Sequence, residues 1–248
     1  MAFLLGGGYA EYALASPFTK TPHGALVDTG NIIELPDRVS FSQGLIYLLN
    51  LRVAYLLSHV TADVKPGAFT LLHAASGGIG TLMTGILKRQ GARVIALSSS
   101  DEKLKYCREN GADYGINYKE KDYVKDVMEI TEGKGVDISF NSVAGPTLKA
   151  DPKAIKPFGL LVVYGEAAGR DVIDPFETMI HKALTVKFSS IYSFIGTEAF
   201  REATEFLENW LKTEKLDSVT KIFKLEDAAQ AHRWFEDGHA YGKIVLEP

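Results

Sequence analysis

Short β-branched runs alternate with helix-forming segments between residues 45 and 215, and this alternation restricts the possible folds more than any other feature. The runs read FTLLHA, RVIALS, YGIN, VDISFN, GLLVVYG and LTVKFSS. Two intervening segments, TLMTGILKRQG and DEKLKYCRENG, keep apolar residues at helical spacing and end at Gly91 and Gly111, which we predict to be C′ glycines. Because such alternation is typical of βαβ units, the sequence predicts an α/β fold with a doubly wound parallel sheet, which has helices on both faces.

The two ends of the chain lack this alternation. Residues 1–44 combine glycines, prolines and polar turns in stretches such as GGGYAEY and SPFTKTPHG, which predicts short strands and loops. After residue 215, TKIFKLED precedes a predicted helix, AAQAHRWFEDG, that ends at Gly238, and GKIVLEP is a predicted last strand. We therefore expect the ends to differ in structure from the central sheet.

Composition narrows the class of protein. The 248 residues, 46% of them hydrophobic and 23% charged, suffice for one large domain or two small ones. A net charge of -4 and a pI near 5.9 argue against nucleic acid or an anionic membrane as a partner. No stretch approaches the roughly 20 continuous apolar residues of a membrane span, and the N-terminus lacks the positive region of a signal peptide. With Cys107 as the single cysteine, no internal disulfide can form, and we expect a cytoplasmic protein.

Three glycines follow the run FTLLHA, in the stretch LLHAASGGIGTL. The pattern Ala75-x-Gly77-x-x-Gly80 has the spacing of the dinucleotide fingerprint, with alanine in its first position, a strand before it and a helix after it. Gly77 would let the backbone approach a pyrophosphate, and Gly80 would let helix and strand pack closely. Free amides at the helix start would meet the negative charge. The predicted contacts here are Ser76, Gly77, Gly78, Ile79 and Gly80; the alternative is a glycine-rich turn without a ligand.

The run RVIAL ends in Ser98, Ser99 and Ser100, which indicate the kind of dinucleotide. An acidic residue here, about 20 residues beyond the fingerprint, would hold the ribose hydroxyls of NAD. Small hydroxyl side chains instead leave room for a 2′-phosphate, and Lys103 can supply positive charge. The sequence therefore favours NADP (NADPH) over NAD. A purely structural alternative, compatible with phosphate binding, is that Ser99-x-x-Glu102 forms a helix capping box.

Several longer stretches resemble the zinc-independent quinone oxidoreductases of the medium-chain dehydrogenase/reductase superfamily. They are VKPGAFTLLHAASGGIG, GADYGINYKEKDYVKDVMEITEGKGVDISFNSVAG, LLVVYGEAAG and LEDAAQAHRWFEDGHAYGKIVLEP. The resemblance covers nearly the whole chain and is strongest from residue 64 to 165. It implies a partial GroES-like β-rich domain over residues 1–45, a dinucleotide-binding Rossmann domain over 46–215, and a return to the first domain over 216–248.

The resemblance also implies a function. NADPH would be the cofactor, and hydride would pass to a quinone or another electron-poor α,β-unsaturated carbonyl. Tyr118 in INY would lie near the adenosine phosphate, beside Lys103 and Ser100. The loops Asn141-Ser142-Val143 and Gly165-Glu166 would meet the adenine ribose and the nicotinamide half. An enoyl reductase, and an NADPH-binding interaction or regulatory protein of weak activity, are the alternatives.

Two departures from the family concern the catalytic residues. Relatives usually carry several strands ahead of GGYAEY, whereas this motif stands almost at Met1 here, so the resemblance implies an N-terminally truncated GroES-like domain and leaves the catalytic residues unknown. A threonine common in relatives is replaced by Arg52. Arg52 either clamps the diphosphate bidentately or is an exposed helix residue.

Other chemistries fit the sequence poorly. With Leu49 at a position where related zinc enzymes place a cysteine, and without a cysteine cluster, no metal site is predicted. Ser76 lacks the glycine that precedes the serine of a nucleophile elbow. Cys107 lies mid-helix without a basic neighbour at the helix start, which predicts a passive thiol. The six histidines are scattered, and we expect most to be surface or packing residues.

The run LTVKFSS bears on assembly. In a doubly wound sheet this sixth strand lies at an edge, and an unprotected edge can pair with that of a second copy. We therefore expect a homodimer. The other partner that we expect is a small electron-poor substrate.

Overall fold

A computed structural model of the chain describes residues 9–10, 18–20, 26–28, 32–214 and 221–248. The chain divides into two compact units, the first made of Met1–Leu56 with Ile191–Pro248 and the second of Leu57–Ser190. Most of the strands and loops predicted for residues 1–31 lie outside the described residues.

The strands, in chain order, are β1 (Phe18–Lys20), β2 (Leu26–Asp28), β3 (Phe69–Leu72), β4 (Arg93–Ser98), β5 (Tyr114–Asn117), β6 (Val136–Asn141), β7 (Ile155–Val163), β8 (Thr185–Phe188), β9 (Lys221–Lys224) and β10 (Ile244–Glu247). The α-helices are α1 (Phe41–Tyr55), α2 (Gly78–Arg89), α3 (Asp101–Glu109), α4 (Tyr123–Ile130), α5 (Thr147–Ala154), α6 (Pro175–Thr178), α7 (Glu198–Thr213) and α8 (Ala228–Glu236). A π-helical turn, Leu56–Thr61, directly continues α1.

The second unit is built on a six-stranded sheet with the order β5-β4-β3-β6-β7-β8. Each neighbouring pair of these strands is parallel. The predicted doubly wound fold is therefore confirmed, with the strand order reversing between β3 and β6. The runs RVIALS, YGIN and VDISFN coincide with β4, β5 and β6.

The apolar composition of the strands follows from burial on both faces of the sheet. Leu71, Ile95 and Leu161, from three different strands, are each 0% exposed in one hydrophobic cluster. The helices between the strands stop where a residue takes a left-handed conformation: Gly91 has φ +80° after α2, and Gly111 has φ +103° after α3. Because glycine adopts this conformation without steric cost, both act as the predicted helix terminators.

The first unit contains a pair of packed helices and a small parallel sheet. α1 lies against α7, and its start is a capping box in which the Ser40 side chain and the Gln43 side chain each bond to the other's backbone amide. Near the C-terminus, β9 and β10 pair in parallel with α8 between them in sequence. The predicted last helix and last strand are confirmed. The described part of the N-terminal segment includes the antiparallel pair β1 and β2.

The boundaries of the two units differ from the domain boundaries expected from the sequence. They fall at residues 56/57 and 190/191, whereas we expected 45/46 and 215/216. Both shifts have one physical cause. Because α1 and α7 pack on each other, they belong to the unit formed by the two ends of the chain.

Within the described ranges of the chain, one helical segment has the length and composition of a membrane span. Residues 41–61 are predominantly apolar, and 67% of the most apolar stretch is buried inside the protein. Asn50 and Arg52 interrupt its apolar residues and are themselves buried. Packing within the chain therefore accounts for the apolar character of this helix.

Candidate functional site

The predicted site residues lie at the carboxyl ends of the strands of the sheet in the second unit. Residues 76–80 follow β3, residues 98–100 end or follow β4, Tyr118 follows β5, residues 141–143 end or follow β6, and residues 165–166 follow β7. In open α/β sheets, ligands bind outside the carboxyl ends of the strands at the point where the strand order reverses. The fold therefore gathers these segments around such a point, between β3 and β6.

The turn between β3 and α2 leaves the start of α2 without a side-chain cap. Its N-cap is Gly77, in an extended conformation (φ -79°, ψ 175°), which makes no side-chain hydrogen bond, whereas side chains cap α3 and α4. A Cβ atom added at Gly80 would meet the backbone oxygen of Ala74 and lie 2.7 Å from Cα of Ala75. Gly80 thus packs the helix directly on the turn, and the first amides of α2 can donate to an external anion.

The serines after β4 have three different roles. Ser98 is buried and its Oγ lies 2.9 Å from Oγ of Ser76, so the fingerprint turn is tied to β4. Ser100 is the N-cap of α3, and its Oγ accepts a hydrogen bond from the Lys103 amide. Ser99 Oγ accepts from Lys103 Nζ at 3.3 Å. The capping box predicted from Ser99 and Glu102 is therefore wrong, because α3 begins one residue later than that spacing requires.

Two lysines share the surface next to these serines. Burial, followed by the like charge of Lys119, lowers the pKa of the Lys103 ammonium below its ordinary value. Tyr118, which directly precedes Lys119, is 49% exposed, and its amide donates to the carbonyl of Ser98. The sequence analysis missed Lys119, although its place after INY was a usable signal. An anion at this point would be favoured by both ammonium groups.

The loops after β6 and β7 contact each other. The Ala167 amide donates to the Ser142 carbonyl, and a Cβ added at Gly165 would lie 2.6 Å from that same oxygen. The Tyr164 hydroxyl forms a hydrogen bond with Ser142. Burial raises the pKa of Tyr164 to about 12. Glu166 is exposed and forms an ion pair with Arg170, which lowers the pKa of Glu166.

A buried carboxylate that the sequence analysis did not identify lies behind these loops. Asp151 Oδ1 accepts hydrogen bonds from His73 Nε2 at 2.9 Å and the Tyr123 hydroxyl at 2.7 Å. Its Oδ2 accepts from Ser139 Oγ at 2.7 Å and Asn141 Nδ2 at 2.8 Å. Burial alone raises the pKa of Asp151, but the charge and hydrogen bond of His73 and the bonds from Tyr123 and Ser139 outweigh it and hold that pKa below its ordinary value.

A signal for Asp151 was present in the sequence. Asp151 stands three residues after Leu148 and three before Ala154, at helical spacing on an apolar face. A carboxylate in that position requires buried donors. His73, expected among surface or packing residues, is one of those donors and is 3% exposed.

The remaining sequence hypotheses have mixed outcomes. Arg52 is 1% exposed, its guanidinium lies 5.1 Å from the ring centroid of Phe200, and burial lowers its pKa to about 10. The hypothesis of an exposed helix residue is therefore wrong, and the diphosphate contact stays a prediction. Cys107 is buried, which raises its pKa to about 11, in agreement with a passive thiol. Across the described ranges, no group of three or more His, Cys, Asp or Glu could hold a metal ion.

The arrangement fits a dinucleotide that carries a 2′-phosphate. The uncapped amides at the start of α2 suit a pyrophosphate, and Ser99, Lys103 and Lys119 supply hydroxyl and ammonium groups for a further phosphate. The Asn141 side chain, by contrast, is engaged internally at both its ends. Contact of the individual predicted residues with a ligand stays a prediction.

Comparison with known proteins adds independent findings. The sequence model of the family described as "Zinc-binding dehydrogenase" matches residues 78–209. The chain is 34% identical to the 2-haloacrylate reductase of a Burkholderia species over 207 residues, which are 81% of this chain and 61% of that protein. It is 30% identical to the quinone oxidoreductase of Sus scrofa over 244 residues, which are 98% of this chain and 70% of that protein.

A solved structure gives the same result for the fold. The crystal structure of Escherichia coli quinone oxidoreductase in complex with NADPH superimposes with a TM-score of 0.81 and 29% sequence identity. The match covers 90% of this chain and 70% of that one. The chain thus spans about three fifths of the 2-haloacrylate reductase and 70% of the two quinone oxidoreductases.

Proposed function

Because this chain belongs to the quinone oxidoreductase-like group of the medium-chain dehydrogenase/reductase superfamily, we propose that it binds NADPH and transfers hydride to a quinone or another electron-poor α,β-unsaturated carbonyl. The observation that carries the proposal is the pairing of two features at one sheet edge. These are the uncapped start of α2 after Gly77, and the hydroxyl and ammonium groups of Ser99 and Lys103 at the end of β4. Together they supply hydrogen-bond donors and positive charge for the pyrophosphate and for the 2′-phosphate of NADPH.

In this arrangement the cofactor and the protein have separate roles. The nicotinamide, when bound, supplies the hydride. Residues of the second unit hold the phosphates, and the loops after β6 and β7 form the neighbouring part of the crevice. For hydride transfer, the main task of the protein is to orient the cofactor. No side-chain nucleophile is therefore required. Uptake of one proton completes the reduced product.

The test is the protein-dependent oxidation of NADPH by a small quinone. With 1,4-benzoquinone, we expect the loss of absorbance at 340 nm to exceed the rate without protein and to saturate with quinone concentration. The matched control is Gly77→Val, which places a branched side chain where the backbone should approach the pyrophosphate and should remove the activity. An unsaturable rate that persists in Gly77→Val would exclude the proposed site.

A second candidate function is reduction of a carbon–carbon double bond. It is favoured by the likeness to a protein named 2-haloacrylate reductase, whose substrate is an α,β-unsaturated acid. A 2-haloacrylate and an enoyl thioester, assayed beside the quinone, separate these two activities. NADPH binding without turnover of any of the three would favour the alternative of an interaction or regulatory protein.

We propose that the chain forms a homodimer through β8. In the described sheet, β8 pairs with β7 on one side only, and Phe188 on this edge strand is 74% exposed. An unpaired edge strand is a template for a symmetric contact with a second copy. Sedimentation velocity at micromolar concentration should give a dimer, and Val186→Pro, which removes one backbone donor at this edge, should shift it toward monomer. A monomeric parent protein would contradict the proposal.

A cytoplasmic location is also our proposal. It rests on Cys107 as the single cysteine, which leaves no disulfide to form in an oxidising compartment.

A further inference from the structure

The carboxylate of Asp151 joins two loops of the candidate site that are far apart in sequence. Of its four partners, His73 directly follows β3 and Asn141 ends β6, on the two sides of the point where the strand order reverses. Asp151 and Asn141 are both 0% exposed. Buried charges of this kind are stable only with several well-aligned donors, so the four partners are held in fixed positions.

The Asp151 oxygen Oδ1 acts, through His73, on the fingerprint turn between β3 and α2. His73 Nε2 contacts Asp151 Oδ1, and the His73 amide donates to the Phe140 carbonyl of β6. The next residue, Ala74, begins the turn with φ +48°, a left-handed conformation that is unfavourable for alanine. A fixed His73 side chain therefore restrains the entry to the turn that leads to Gly77.

The second oxygen acts on the loop after β6 through Asn141. Asn141 Nδ2 donates to Asp151 Oδ2 and to Thr147 Oγ1, which leaves Oδ1 to accept from the amides of Val143 and Ala144 at 2.9 Å each. Ala144 is also left-handed, with φ +56°. Such a conformation is unfavourable for a residue with a Cβ, and the bonds from Asn141 offset this cost.

We infer that Asp151 is a positioning residue that sets the loop after β6 for the nicotinamide half of the cofactor. The inference rests on the proposed function. Ser99 and Lys103 assign the adenosine half to the side of β4 and β5, so the other half falls to the side of β6 and β7. Asp151 acts on that side through Asn141 and touches no ligand itself.

The test compares a whole and a partial ligand by calorimetry. In Asp151→Ala, we expect the affinity for NADPH to fall about tenfold, while the affinity for 2′,5′-ADP, which lacks the nicotinamide half, falls only about twofold through the loss of the His73 contact. In the ligand-free protein, hydrogen exchange at the Val143 and Ala144 amides should accelerate. Asp151→Asn, which keeps one oxygen for Asn141, should give an intermediate ratio of the two affinities.

Two controls make the outcome decisive. Tyr123→Phe removes another donor to Asp151 but alters neither loop, so it should lower stability without changing the ratio of affinities. If Asp151→Ala does not melt cooperatively, Asp151→Asn decides by the same ratio. The inference would be overturned if the Asp151 variants lost affinity for NADPH and for 2′,5′-ADP by the same factor, or if the ratio of these two affinities were unchanged. The proposed function would still stand. A parent protein that binds neither ligand would overturn the proposed function itself.

Discussion

Gly80→Ala should destabilise the second unit and abolish NADPH binding. An added Cβ would lie 2.7 Å from Cα of Ala75 and meet the backbone oxygen of Ala74, and neither atom can move without shifting the turn. Overpacking against backbone costs about 3 kcal/mol, which lowers the melting temperature by roughly 6–12 °C for a chain of this size. Thermal unfolding followed by circular dichroism gives the loss of stability, and NADPH titration gives the loss of binding.

The matched control lies five residues further along the same helix. A Cβ at Gly85 would have no neighbour within 4 Å, so Gly85→Ala should raise stability by up to about 1 kcal/mol through helix propensity alone. Binding of NADPH should be unchanged in this variant. Similar effects of the two substitutions would contradict the close packing of α2 on the fingerprint turn.

Lys103→Ala should remove most of the preference for NADPH over NADH. Lys103 Nζ lies 3.3 Å from Ser99 Oγ, at the end of β4 where a 2′-phosphate is expected. A hydrogen bond to a charged group contributes about 1.5–3 kcal/mol, so NADPH affinity should fall roughly 10- to 100-fold while NADH affinity changes little. The quantity to measure is the ratio of the two dissociation constants in the variant and in the parent protein.

Lys119→Ala is the companion variant to Lys103→Ala. Lys119 shares the surface of Lys103, and its like charge adds to the effect of burial in lowering the pKa of the Lys103 ammonium. We expect a smaller loss of NADPH affinity than in Lys103→Ala, again without an effect on NADH. A ratio unaffected by either lysine would remove the charge argument for NADP.

The fold was predictable where local pattern decides structure. The segments RVIALS, YGIN and VDISFN became β4, β5 and β6 because short runs with β-branched or aromatic residues, set between helical segments, favour the strands of a parallel sheet. The limits of the two units were not predictable, because they depend on α1 packing against α7. These helices begin more than a hundred residues apart, and no local pattern records their contact.

The residues of the candidate site were also predictable only where local sequence determines their role. Gly77 and Gly80 were identified because their role depends on the strand before them and the helix after them, which the sequence displays. Asp151 was missed because an acidic residue at an apolar helical position does not show which residues will donate to it, and His73 is 78 residues away. The cap of α3 was assigned to Ser99 rather than Ser100 because hydroxyl spacing alone does not fix a helix start to one residue.

The measurement that tests the account most directly is a paired titration of the unmodified chain with NADPH and NADH, followed by calorimetry. We predict saturable binding of one NADPH per chain, at least about tenfold tighter than NADH, because the 2′-phosphate meets Ser99 and Lys103. Equal or tighter binding of NADH would contradict the assignment of the groups after β4. Binding of neither would contradict the central claim that the second unit is a cofactor-binding domain.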